Sequence, residues 1–315
     1  MPSRTKPRDR ASAPPVTFVA TDDGWRLALN LFRPKRAKAG APVVLVLPAL
    51  GAPARAYRRM TTHLAGRGLP VATADLRGSG ASIPLPRRGV DFGVDDHLER
   101  DLPALLAHLG AAFPKRPVVV IGHSLGGHLG AFTAARRPAA LAGLVLLTVA
   151  KVDRRQFPVA GPILFNLFRG LARTLGYVPG QRLGFGAPVA RTLAIEWARW
   201  GLRSRYVDIA GRDLEAGFDT LALPVLSVAF TDDRRMGPRA ACDAFNALLP
   251  AERLTAWRIS PEEAGVARLD HMAHLRGAPV VWDRIADWLL ATAVSRAGTP
   301  PRLRARRAPR RGRSP

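Results

Sequence analysis

The sequence predicts an α/β fold, with a mostly parallel central sheet covered by helices on both faces. Three observations predict it. Strand-like and helix-like segments alternate along the 315 residues. The strand-like segments are near-continuous apolar runs, as strands buried on both faces read, rather than alternating ones. A tight Gly-x-Ser-x-Gly turn, "GHSLG" at 122–126, sits where one such run gives way to helical spacing.

The elements follow in order. "VTFVA" and "WRLALNLF" read as an opening pair of strands, and "PVVLVLP" (42–48) as a buried strand. A helix from Pro53 to Arg67 leads to the strand "LPVATAD" (69–75) and the loop "LRGSGAS". "VDDHLERDLPALLAHL" (94–109) is amphipathic, with Asp95 or Asp96 as its expected N-cap. "PVVVIG" (117–122) is a strand, 125–137 a helix and "LAGLVLLTV" (141–149) a strand. From Lys151 to Arg212 the strand pattern disappears, and aromatic and apolar residues alternate with Gly and Pro. The pattern resumes with the strand "LPVLSVAF" (223–230), a helix at 238–249, the strand "LTAWRIS" (254–260) and a last helix at 279–293. The expected division is a core in two parts, 16–150 and 213–294, with a cap inserted at 151–212. That insertion lies over the carboxyl ends of the strands, where open α/β sheets bind ligands. The basic ends, 1–15 and 295–315, read as disordered.

Composition narrows the classes. The net charge is +24, of which residues 1–10 carry +3 and residues 296–315, with eight arginines and no acid, carry +8. Such tails bind polyanions non-specifically. No nucleic-acid-binding signature accompanies them, so no specific nucleic-acid partner is expected. The N-terminus has no apolar signal region, and the longest apolar stretch, Leu141 to Ala150, is too short to span a bilayer. The expected location is therefore cytoplasmic. One cysteine, Cys242, excludes an intrachain disulfide.

Gly-x-Ser-x-Gly between a strand and a helix is a nucleophile elbow. The turn holds the serine in a strained conformation and projects its hydroxyl above the sheet. Gly122 and Gly126 leave room for neighbouring backbone, and Gly127 and Gly130 let the following helix pack closely. Serine is a poor nucleophile alone; it needs a base, and the base needs a carboxylate to orient it. After Ser124 the histidines are His128, His271 and His274. His128 is on the elbow's own helix and is read as a packing residue that points away from the serine. "ARLDHMAHLRG" (267–277) lies between the last strand and the last helix, where the base belongs, with His271 preferred and His274 the alternate. "TDD" after 223–230 offers Asp232 and Asp233 as the acid. In the insertion, Phe157, Phe165, Phe168 and Tyr177 either wall a hydrophobic acyl site or pack the cap onto the sheet. Trp197 and Trp200 share one helix face and are read as core.

With these motifs the chain resembles the α/β-hydrolase superfamily. "GHSLGG" matches its elbow, and "DLRGSGAS" (75–82) its Asp-x-Arg-Gly-x-Gly-x-Ser loop. More narrowly, "LPALGAPARAYRRMTTHLAGRGLPVATADLRGSGAS" and "EWARWGLRSRY" are similar to a bacterial group of predicted α/β hydrolases near the serine aminopeptidase-like and lysophospholipase-like enzymes. The resemblance covers about residues 16–294. It implies the α/β-hydrolase fold and a triad of Ser124, Asp233 and His271, with Asp232 the alternate acid. It also implies an oxyanion hole from the amides of Leu125 and Leu50, the latter by aligning "LPALG" with the His-Gly-x of many relatives. One departure is a longer acid loop, with Pro238 five residues after Asp233 rather than four. The implied activity is a serine hydrolase cleaving an ester, thioester or amide of a small, partly hydrophobic substrate, with no cofactor and no metal. An acyltransferase with the same triad and a catalytically dead binding protein are the alternatives.

Overall fold

The computed structural model describes residues 14–157, 160–184 and 186–294. The expected tails fall almost wholly outside the described residues. Ten strands are present there: β1 (Val16–Ala20), β2 (Arg26–Phe32), β3 (Val43–Leu47), β4 (Val71–Ala74), β5 (Val118–His123), β6 (Gly143–Leu147), β7 (Tyr177–Val178), β8 (Val189–Ala190), β9 (Val225–Phe230) and β10 (Leu254–Ile259). Eight form one sheet in the order β1-β2-β4-β3-β5-β6-β9-β10. The β1–β2 and β2–β4 pairs are antiparallel and every other pair is parallel. β3, β6 and β9 are buried at every residue, which is why they read as unbroken apolar runs. Each such aliphatic side chain contributes roughly 1.5–3 kcal/mol on burial.

The helices are α1 (Arg58–Gly66), α2 (Val94–Asp96), α3 (Leu102–Ala112), α4 (Leu125–Arg136), α5 (Ala160–Leu175), α6 (Arg191–Arg203), α7 (Arg239–Asn246), α8 (Pro261–Ala264) and α9 (Pro279–Val294). They flank the sheet on two separate apolar faces. α2 and α3 are one continuous helix interrupted by a π turn at His97–Asp101. Pro103 has no amide to offer the Glu99 carbonyl, and the wider turn lets the helix pass it. The N-cap of α2 is Gly93, not Asp95 or Asp96. Asp96 instead reaches back and accepts the Gly93 amide at 2.9 Å. A larger residue does not fit at 93, because a Cβ there would press on the Glu196 carboxylate.

The "DLRGSGAS" loop is scaffold. Asp75 accepts the amides of Ala54 (2.5 Å) and Ala81 (2.9 Å). Arg77 is buried between Asp101 and Asp23 and lies over the Trp25 ring. The loop thereby ties β4, the start of α1 and the π turn into one block under the sheet's carboxyl edge.

The inserted segment between β6 and β9 is a helical cap. It is more regular than its sequence suggests: α5 and α6 pack together, and β7 and β8 form a two-residue hairpin between them. Glu196 of α6 fastens it to the core by accepting the amides of Val94 (2.7 Å) and Ile209 (2.6 Å). Burial pushes this carboxyl up to about 7. Asp91 adds two bonds to Thr192. Among the described residues no helix is long and apolar enough to cross a membrane.

The first turn of α4 crosses the end of β3 without clearance. A Cβ at Gly126 would overlap the Leu47 carbonyl, and one at Gly122 the backbone of Gly126 and Gly127. Backbone cannot yield as a flexible side chain can. Gly126→Ala should therefore destabilise the chain by at least about 2 kcal/mol. Urea unfolding at neutral pH measures it, and an unchanged midpoint would show that the crossing is loose.

Candidate active site

Ser124 sits at the junction of β5 and α4 with φ 51° and ψ −115°. Its amide donates to the Leu147 carbonyl at 3.1 Å, and its own carbonyl accepts the amides of Gly127 and His128. The positive φ is costly for a residue with a Cβ and is sustained by these bonds and the glycine packing around it.

Across the sheet edge, Asp233 and His271 meet. His271 Nδ1 donates to Asp233 Oδ2 at 2.6 Å, and both side chains are buried. Asp233 Oδ1 accepts the amides of Gly237 (2.9 Å) and Met236 (3.2 Å), so the carboxylate is held from both sides. Thr148 Oγ1 lies 3.2 Å from the same His271 nitrogen. Thr148 is held at φ 45°, unusual for a β-branched residue. Asp232 is exposed and makes no hydrogen bond to the histidine among the described residues; both aspartates lie in the turn after β9, where the Asp233 amide donates to the Phe230 carbonyl at 3.2 Å. Among the described residues, no hydrogen bond joins Ser124 to His271, and His271 Nε2 is buried without a partner. In substrate-free sites that contact is commonly long.

Leu50 and Leu125 both border the cavity above Ser124. Leu125 opens α4, where amides have no partner in the helix. Leu50 follows Ala49 in a tight turn closed by Ala52 N–H to Ala49 O at 3.0 Å, with Gly51 at φ 72°. Among the described residues the Leu50 amide has no acceptor, whereas the Ala49 amide donates to Tyr57 Oη at 2.8 Å. Because that oxygen already accepts, its proton goes to His123 Nδ1, 2.6 Å away. Neither Tyr57 nor His123 is signalled by the sequence beyond an ordinary helix residue and the x of the elbow.

His274 does not reach Asp233. It is buried edge-on to His123, ring centroids 4.9 Å apart, and against Phe230. His128 corrects its sequence reading. Four residues along a helix is one turn, so its ring faces the same side as Ser124 rather than away. Nδ1 lies 3.1 Å from the Ser124 carbonyl, Nε2 3.0 Å from the Ala150 carbonyl, and the ring borders the cavity. Burial lowers both His128 and His274 to about 4, and it holds His123 well below its ordinary value, so all three are neutral at pH 7. Cys242 is inert: burial, with the Asp233 charge, pushes its thiol up to about 12.

The cavity holds about 220 Å³. Phe157, Leu164, Phe165 and Trp197 of the cap line it, so part of the aromatic insertion faces the site. Phe168 is buried against Trp197 within the cap, and Trp200 is buried against Phe132 and His128 of α4. Trp197 and Trp200 thus divide between cavity wall and core.

The sheet order, the elbow and the acid–base pair beyond β9 are those of a known architecture. The chain has the α/β-hydrolase fold. Residues 39–180 match the family described as serine aminopeptidase, S33. Human monoglyceride lipase is 29% identical over 153 residues, 47% of this chain and 48% of that protein. Lipase LipV of Mycobacterium tuberculosis is 33% identical over 124 residues, 39% of this chain and 43% of that protein. The chain spans about half the length of the curated relatives it matches. Among solved structures, Est1E from Butyrivibrio proteoclasticus with bound ferulic acid superposes with a TM-score of 0.62 at 16% identity, covering 88% of this chain and 99% of that one.

The buried neutral histidines give this chain an acid limit. In the unfolded chain a histidine takes up a proton below its ordinary value of 6.5; His128 and His274 resist until about 4. Their stabilisation is complete above 6.5 and is lost as pH falls towards 4. Between pH 7 and pH 5 each should cost about 2 kcal/mol. Urea unfolding at the two pH values should show the loss, and His274→Asn should reduce the difference by that amount. An unchanged difference would mean that His274 is not held neutral.

Proposed function

We propose that this chain is a serine hydrolase, cleaving an acyl ester, thioester or amide through an acyl-enzyme on Ser124. The observation that carries the reading is the 2.6 Å bond from His271 Nδ1 to Asp233, which leaves Nε2 as the free basic nitrogen. His271 Nε2 takes the Ser124 hydroxyl proton as Oγ attacks the carbonyl carbon. The oxyanion that forms is held by the amides of Leu50 and Leu125. As the tetrahedral intermediate collapses, His271 returns the proton to the departing oxygen, sulfur or nitrogen. Asp233 holds the imidazole tautomer and stabilises the imidazolium. A water deprotonated by His271 then releases the acid and restores Ser124.

The cap, residues 151–212, sets specificity in this reading. Its apolar lining favours an acyl chain over a polar group. The names of the two curated relatives, both lipases, favour an ester.

Three variants test the reading on one activated ester. Ser124→Ala should lower turnover on the order of 10⁶-fold and abolish labelling by a fluorophosphonate probe. Asp233→Asn should cost roughly 10⁴-fold by fixing the wrong tautomer. Asp232→Asn should cost tenfold or less, a difference on the scale of an exposed charge. Turnover by Ser124→Ala within tenfold of the parent would end the assignment.

A further inference from the structure

Arg235 borders the cavity beside Ser124, and it is the charged residue among the described ones that line it. The other polar ring there, His128, is neutral. Arg235 is exposed and has no hydrogen-bond or ion-pair partner among the described residues. Its backbone is nevertheless held firmly, because the amide of the next residue, Met236, donates to Asp233 Oδ1. The carboxylate that orients His271 therefore also positions a cation at the mouth of the cavity.

The surroundings leave that cation unopposed from the cap. Residues 151–212 contain eleven Lys and Arg against three acids, Asp153, Glu196 and Asp208. All three acids are buried. Asp153 accepts from Ser204, Glu196 from Val94 and Ile209, and Asp208 from Arg212. The cap thus shows cations to solvent and keeps its carboxylates inside. Such a surface concentrates anions at the cleft it surrounds.

We propose that this site selects acyl esters whose alcohol portion carries an anionic group, a carboxylate or a phosphate, which Arg235 holds at the cavity mouth. The inference rests on the hydrolase reading above and adds the substrate's charge. Polarity decides which half of the ester bears that charge. Inside the cap an anion would meet Phe157, Leu164, Phe165 and Trp197 and lose its hydration without a partner. At the exposed rim it keeps water on one side and gains the guanidinium on the other. The hydrocarbon acyl chain fills the cavity, and the charged portion faces out and departs to solvent.

The experiment compares three hexanoyl esters: one of a neutral nitrophenol, one of a carboxylated nitrophenol and one of a phosphorylated phenol. The ratio of kcat/KM for each anionic ester to that of the neutral one, corrected for rates of spontaneous hydrolysis, should fall on the order of tenfold in Arg235→Gln. Arg235→Lys should keep part of it, and added salt should shrink it in the parent chain. A fall for one anionic ester alone identifies carboxylate or phosphate as the group preferred. A ratio unchanged by Arg235→Gln for both overturns the proposal while leaving the hydrolase reading intact. Binding of the same esters to Ser124→Ala, with and without Arg235→Gln, makes the comparison without turnover. If no ester is hydrolysed but the anionic ones bind more tightly through Arg235, the hydrolase reading fails and the anion site stands. Equal binding overturns the anion site.

Discussion

Everything at the site depends on one close crossing, the first turn of α4 over the carboxyl ends of β3 and β5. There is no space between Gly126 and the Leu47 carbonyl, or between Gly122 and the backbone after the elbow. That closeness makes the chain turn sharply enough to hold Ser124 at φ 51°. It also brings the loop after β3 beside the start of α4, so that Leu50 and Leu125 border the same cavity. The proposed nucleophile and the proposed oxyanion donors are one piece of backbone geometry.

The acid–base pair is supplied from the other side of the sheet and is restrained differently. Backbone and side chains share the holding: Asp233 is gripped by two amides and His271, and His271 rests against His123 with ring centroids 4.7 Å apart. His123 and His274 stay uncharged there because burial disfavours their protonated forms. A neutral neighbour matters at this spot. A cation packed on His271 would oppose the positive charge that His271 acquires in the proposed proton transfer. Tyr57 secures the arrangement by giving its hydroxyl proton to His123 Nδ1.

What the sequence made legible follows from how each residue is used. Parallel strands buried on both faces leave long apolar runs, so β3, β5, β6 and β9 were visible. The elbow was visible because glycines at both flanks of a serine have a steric reason. The choice between Asp232 and Asp233 is made by the turn after β9, which buries Asp233 and leaves Asp232 exposed. The cap's order was hidden, since β7 and β8 have two residues each and no periodicity can show in two. Gly93 was missed as an N-cap because its need is the bulk of Glu196, more than a hundred residues away. The direction of His128 was misjudged although helical spacing holds the answer. Tyr57 acts through a tertiary contact to a residue 66 positions distant, which no local pattern records.

The turn after β3 is fastened twice. Tyr57 holds the Ala49 amide from the core, and Ala187 of the cap donates to the Gly51 carbonyl at 3.1 Å. Gly186 is pressed so close to that carbonyl that a side chain would not fit. The cap is therefore no interchangeable lid. A graft replacing the whole insertion with that of another protein of this fold would remove one of the two anchors of the Leu50 turn, and the new segment would have to bring its own donor to Gly51. Natural exchange of caps faces the same demand, so the few residues around 186–187 should travel with the core rather than with the helices on either side of them.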